Sequence, residues 1–185
     1  MLDLRVKTCC FTGHRMIPSG ENEIIRNLLE TAVEKAIQDG YRFFGAGGAL
    51  GFDTLAEQTV LTLRRQYPHI RLILVLPCIN QANGWKQADI DEYERIKSLA
   101  DKVVYTSREY HTGCMHKRNR YLVDHSNLCI CYLKRLTGGT AYTVKYAESK
   151  NLKTINLAKQ YISYTEFYFG IGDVFYCIFN SALYL

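Results

Sequence analysis

The chain is 185 residues long, 48% hydrophobic and 22% charged, an ordinary globular composition with room for one substantial core. Its formal net charge of +5 favours anionic small molecules and falls short of the basic excess that would itself indicate nucleic acid. No apolar run reaches membrane-spanning length, so no membrane partner is expected.

The opening MLDLRVKTCC lacks the long apolar core of a signal peptide, which points to the cytoplasm. Residues 7–11 (KTCCF) predict a short strand that ends in the loop TGHRMIPSG. From Glu21 the apolar residues recur helically, with Ile24, Leu28, Ala32 and Ala36 on one row and Ile25, Leu29, Val33 and Ile37 on the next. Gly40 stops that helix in the favoured C-terminal position. Residues 41–44 predict the second strand, and Phe52, Leu55, Ala56, Val60 and Leu63 line the helix after it. RLILVLPC (71–78) is apolar on both faces, as a central parallel strand should be. A helix is expected over 90–100, a strand at KVVYTS (102–107) and a helix over 114–125. NLCICYL (127–133) predicts a strand, 140–149 a helix and TINLA (154–158) a last strand. Strand and helix alternate throughout, so the expected fold is a single α/β domain over 1–158: a doubly wound, mostly parallel, Rossmann-like sheet flanked by helices. The tail, 159–185, is crowded with aromatic and β-branched residues and reads as an extra C-terminal element, either a core extension or a dimer surface. Seven cysteines without a CxxC pair read as buried, reduced thiols, and no metal site is expected.

In an open parallel sheet, ligands bind beyond the carboxyl ends of the strands. The unusual residues of this chain gather there: Thr12-Gly13-His14-Arg15, the segment 45–53, Pro77 with Asn80, Gln81 and Trp85, Gly113, and Thr137-Gly138-Gly139-Thr140. The stretch FFGAGGALGFDTLAEQ places four glycines, Gly45, Gly47, Gly48 and Gly51, within seven residues between a strand and a helix. Such a turn lets backbone approach something closely, either a phosphate on the Gly47 and Gly48 amides or the protein's own packing. Its spacing is one residue longer than the dinucleotide fingerprint, and no acidic residue closes the second strand, which disfavours a dehydrogenase. Gly138-Gly139-Thr140 with Thr143 is a second donor-rich helix start, suited to a phosphate or to a plain N-cap. Asp53, in the first turn of its helix, suits ribose hydroxyls or the helix dipole. His14 and Arg15 are placed to meet an anion. Trp85 either stacks on a base or covers the core, the latter preferred. In GCMHKRNRYLVDHS, Arg118 shares a helix face with Met115 and Leu122, whereas Lys117 and Arg120 read as solvated. An arginine among apolar neighbours is costly unless it finds an anion, so Arg118 is the leading candidate for a phosphate or carboxylate clamp.

Taken together, CCFTGHR, GGALGFDTLAEQ, LILVLPC, GCMHKRNRYLVDHS and GGTAYTVKYA resemble the SLOG superfamily, which contains the Lonely Guy phosphoribohydrolases, DprA and the YpsA-like proteins. The likeness runs from about Lys7 to Ala158 and is greatest to the YpsA-like branch. It implies a cytoplasmic, homodimeric domain that binds a nucleotide or nucleotide-derived ligand. In the Lonely Guy pattern a MHxRK helix supplies a catalytic arginine, matched here by Arg118, and a GGxGTxxE turn supplies a catalytic glutamate. That glutamate is missing, since Thr140-Ala141-Tyr142-Thr143-Val144-Lys145 follows Gly138-Gly139.

The expected function is therefore binding or sensing of a nucleotide-type ligand such as a nucleoside phosphate, NAD or an ADP-ribose, with no required cofactor. The ligand would be held by Thr12, Gly13, His14, Arg15, Gly47, Gly48, Gly51, Asp53, Arg118, Gly138, Gly139, Thr140 and Thr143. The rival is an N-glycosidic hydrolase that draws its acid or base from Asp53, Glu57 or Asp124. Single-stranded DNA binding of the DprA kind is a third reading, weakened by the dispersed basic residues.

Overall fold

The strands form where β-branched, cysteine and aromatic residues run together, and the helices where the apolar period lengthens to that of one buried face. The computed structural model describes residues 3–161, so the aromatic element expected beyond Tyr161 lies outside the described residues. Six strands are seen among them: β1 (Thr8–Gly13), β2 (Phe43–Ala46), β3 (Arg71–Leu76), β4 (Lys102–Tyr105), β5 (Leu128–Tyr132) and β6 (Lys153–Asn156). Between them run α1 (Asn22–Gln38), α2 (Phe52–Leu63), α3 (Gln87–Leu99), α4 (Cys114–Asp124) and α5 (Gly138–Ser149). Every paired strand is parallel, in the order β4-β3-β2-β1-β5-β6.

Right-handed crossovers then put α1, α2 and α3 on one face and α4 and α5 on the other. The side chains follow this division with a period of two. Cys9, Phe11, Leu72, Leu74, Leu128 and Ile130 join the core under α1–α3, while Cys10, Val75, Cys129 and Cys131 join the smaller core under α4 and α5. Trp85 packs against the larger core, edge-on to Tyr93 at 5.5 Å, as a cover. The winding reverses between β1 and β5, which lie side by side. This is the switch point where a crevice opens at the carboxyl ends.

Several boundaries differ from the sequence expectation, each for a local reason. β1 runs two residues further because Thr12 and Gly13 stay in register with Cys131 and Tyr132. β2 is shifted from 41–44 to Phe43–Ala46, because the Tyr41 amide closes α1 on Ala36 and Gly45 remains in the ladder between Cys10 and Ile73. α3 begins at Gln87, three residues before Ile90, the first large apolar residue of its pattern. β6 stops at Asn156, whose side-chain oxygen accepts the Leu133 and Ala158 amides and turns the chain.

Candidate functional site

Four segments close around a cleft of about 360 Å³ at the switch point: the end of β1, the start of α2, the first turns of α4 and the start of α5. Of the expected ligand residues, Thr12, Gly13, His14, Arg15, Asp53, Arg118, Gly139 and Thr140 line it. Asp53 is the one carboxylate among the described residues that does so.

The floor of the cleft is an ion pair. Arg118 Nη1 donates to Asp53 Oδ2 at 3.3 Å, and the two residues are 7% and 4% exposed. Arg118 Nε is buried without a hydrogen-bond partner among the described residues. Gly47 explains how the pair fits: a Cβ there would lie 1.0 Å from Arg118 Nη1 and 2.7 Å from Asp53 Oδ2. Burial pushes the Asp53 carboxyl above its ordinary range, although the Arg118 charge and hydrogen bond and the Ala49 and Gly47 amides pull it back in part. One turn on, Glu57 is raised well above its ordinary range, first by burial and then by the charge of Asp53.

The glycine-rich turn is filled from within. The Gly48 amide donates to Glu57 Oε1 at 2.9 Å, so it is already taken and does not face the cleft. Gln81 Nε2 donates to the Gly47 and Gly48 carbonyls at 3.2 and 2.7 Å. Gly51, at φ +80°, would place a Cβ 2.1 Å from the Arg15 carbonyl oxygen, and the Phe52 amide donates to the His14 carbonyl at 3.2 Å. These contacts seat the segment after β1 on the start of α2. The backbone approached so closely is the protein's own, and Gly47, Gly48 and Gly51 shape the cleft from behind.

The start of α5 is different, since a Cβ at Gly138 or Gly139 would meet nothing within 4 Å. Gly138 and Gly139 open onto free space, with the N-terminal end of a twelve-residue helix and the Thr140 hydroxyl behind them. Thr143 does not line the cleft. Its hydroxyl accepts from Asn119 Nδ2 and donates to the Gly139 carbonyl, both at 2.8 Å, tying α4 to α5. Asn119 was not anticipated, although its position beside Arg118 was a signal available in the sequence. His14 holds the other side. Its Nε2 accepts the Lys134 and Arg135 amides at 3.0 and 3.2 Å, which fixes the β5–α5 loop and leaves the proton on Nδ1. Burial, and then the nearby Arg135 and Lys134 charges, lower its pKa and favour this neutral form.

Asp124 is ruled out as an acid or base of this cleft. It ends α4, away from the carboxyl edge, and accepts a hydrogen bond from the Tyr146 hydroxyl at 2.9 Å. Glu57 lies beneath the glycine turn rather than in the cleft. At the position of the missing glutamate, Val144 is buried in the α4–α5 core and Lys145 is exposed, so neither faces the cleft. No cluster of metal-ligating side chains occurs among the described residues. No helix among them is long and apolar enough to cross a membrane.

The family described as the YspA SLOG family (YpsA) matches residues 18–167. The uncharacterised SPbeta prophage-derived protein YoqJ of Bacillus subtilis strain 168 is 28% identical over 142 residues, covering 69% of this chain and 82% of YoqJ. Two DNA processing protein A (DprA) structures share the fold at a TM-score of 0.58. The Streptococcus pneumoniae protein is 13% identical, and the match covers 82% of this chain and 50% of DprA. The Helicobacter pylori protein, whose structure concerns its single-stranded DNA binding mode, is 17% identical, with 82% of this chain and 65% of DprA covered. The chain thus spans half to about two thirds of those DprA structures.

Proposed function

The chain belongs to the YspA SLOG family (YpsA), and we propose that it binds a nucleotide-type ligand whose phosphate lies between Arg118 and the start of α5. One observation carries this reading. Arg118 is a nearly buried cation with a single long hydrogen bond and an unpartnered Nε, and it borders a cleft that the open amino end of α5 also borders. A buried guanidinium left short of partners is costly, and an anion in the cleft would complete it. The helix start adds unpaired amides and a favourable dipole from the opposite side. The six cysteines among the described residues are all free and buried, which suits a reducing compartment, in line with a cytoplasmic protein.

Calorimetric titration with inorganic phosphate, ribose 5-phosphate and nucleoside 5′-monophosphates tests the reading. Binding by the natural protein is expected, with at least a tenfold loss in Arg118→Met, about 1.4 kcal/mol. Absence of binding by every phosphate would sink it. The hydrolase reading has one observation in its favour, the carboxyl of Asp53 in the same cleft, and assay of released base in the same mixtures separates the two. An oligonucleotide in the titration tests whether the single-stranded DNA binding of the Helicobacter pylori protein extends to this chain.

A further inference from the structure

Resting on the phosphate-cleft reading, we propose that the groove between α1, α2 and α3 is the base subsite of the same ligand. The ligand is then a nucleoside phosphate lying across the Leu50–Gly51 ridge, with its phosphate in the cleft and its base in the groove. The groove has a volume of about 480 Å³ and meets the phosphate cleft at Arg15, which lines both. Its apolar wall is formed by Ile17, Leu50, Leu55 and Tyr93, the last two each 6% exposed. Asn22 and Asp89 add a donor and acceptors around that wall, while Gln58 Nε2 is held by Glu92 Oε1 at 2.7 Å. Apolar surface with a few convergent polar groups is what a planar heteroaromatic ring requires.

Met16 is the second observation. It lines the groove while 82% exposed, a large apolar side chain outside both core clusters of the described residues. A soft thioether beside an open groove is suited to the face of an aromatic ring. Its backbone is not loose, because the adjoining His14 and Arg15 carbonyls are seated on Phe52 and Gly51. Arg15 and Arg26 form no ion pair among the described residues, which leaves both cations for the ligand, Arg15 at the crossing point. The rival platform is His116 at the far rim of the cleft, whose ring is already stacked on Tyr142 at 4.2 Å.

The test compares nucleoside 5′-monophosphates with ribose 5-phosphate by calorimetry. The natural protein should bind at least one nucleotide tenfold or more tightly than ribose 5-phosphate. Met16→Asp, at an exposed position, and Thr54→Trp, which fills the groove from α2, should each erase that advantage and leave ribose 5-phosphate affinity unchanged. The inference is overturned if the advantage survives in both variants, if it is lost instead in His116→Ala, or if nucleotides bind no better than ribose 5-phosphate. Those results leave the phosphate cleft standing. Failure of ribose 5-phosphate and every nucleotide to bind removes both.

Discussion

Asp53 on α2 and Arg118 on α4 meet at 3.3 Å across the backbone of Gly47, with both side chains almost wholly buried. The two ends of this pair respond differently to loss of the partner. A carboxylate deprived of its cation takes up a proton, whereas a guanidinium cannot give one up. Asp53→Asn should therefore cost more stability than Arg118→Met, on the order of 3 kcal/mol for a pair that opens onto a cleft. The double variant should recover part of that loss, because no lone charge remains. Urea denaturation of the four proteins provides the cycle, and additive losses would show that the two residues are not coupled.

The glycines divide into two classes by what a methyl group would meet. Gly47→Ala collides with the Arg118 guanidinium and should lower stability and ligand affinity together. Gly139→Ala meets nothing within 4 Å and lies in a helix, so stability should hold or rise by about 0.5–1 kcal/mol. Its methyl group narrows the cleft, and phosphate affinity should fall. A Gly139→Ala protein that binds phosphate as well as the natural one would place the anion away from α5.

Glu57 offers a stability test with a defined sign. Its carboxyl is raised well above the ordinary 4.5 by burial and by Asp53, so the folded chain holds this proton more tightly than the unfolded one. That contribution is complete below about pH 4.5 and is lost as pH rises through the folded value. Glu57→Gln keeps an oxygen for the Gly48 amide and removes the charge. Its melting temperature should exceed that of the natural protein by ~2–4 °C at pH 8, the effect of about 1 kcal/mol in a chain of this size. At pH 4 the gain should vanish. A loss at pH 8 would show that the carboxylate itself is needed.

His14 works in the opposite direction. Its pKa lies below the ordinary 6.5, so its neutral form is the one the fold favours. The anchoring of the Lys134 and Arg135 amides is then intact above about pH 6.5 and lost as pH falls through the folded value. In NMR titration the His14 ring should change state below 6.5, and the two amide resonances should move with the same midpoint. A ring that titrates at 6.5 or above with both amides unmoved would refute the anchor.

The layout of this region was legible in the sequence to the extent that it is local. Alternating β-branched and helical periods announced the sheet and its helices, and Arg118 declared itself as a cation on an apolar helix face. Its partner did not, because Asp53 lies 65 residues away and the pairing exists only once α2 and α4 flank the same strands. The glycine turn left two readings open for a related reason. From sequence, amides facing a phosphate and amides facing Glu57 look alike, and only the fold brings the Glu57 carboxylate back under Gly48. His14 was expected near an anion, yet its Nε2 is spent on backbone amides 120 and 121 residues away.

Cleavage of a glycosidic bond develops positive charge on the ribose, and a carboxylate beside that carbon stabilises it or activates water. Asp53 is the one carboxyl lining the cleft among the described residues, and it is buried, raised in pKa and held by Arg118. Paired with Arg118, Asp53 is not free to serve a departing base or the ribose, and among the described residues no second carboxylate lines the cleft. The protein should therefore bind nucleoside 5′-monophosphates while releasing little or no free base. Restoring acid at the turn should not help, because Val144 is buried in the α4–α5 core and Lys145 points to solvent. Val144→Glu should destabilise the fold by burying an unpaired carboxyl, and Lys145→Glu should leave the cleft unchanged. Chromatography of reaction mixtures decides the matter. Rapid base release by the natural protein that disappears in Asp53→Asn would make this cleft a hydrolase site with a relocated carboxylate.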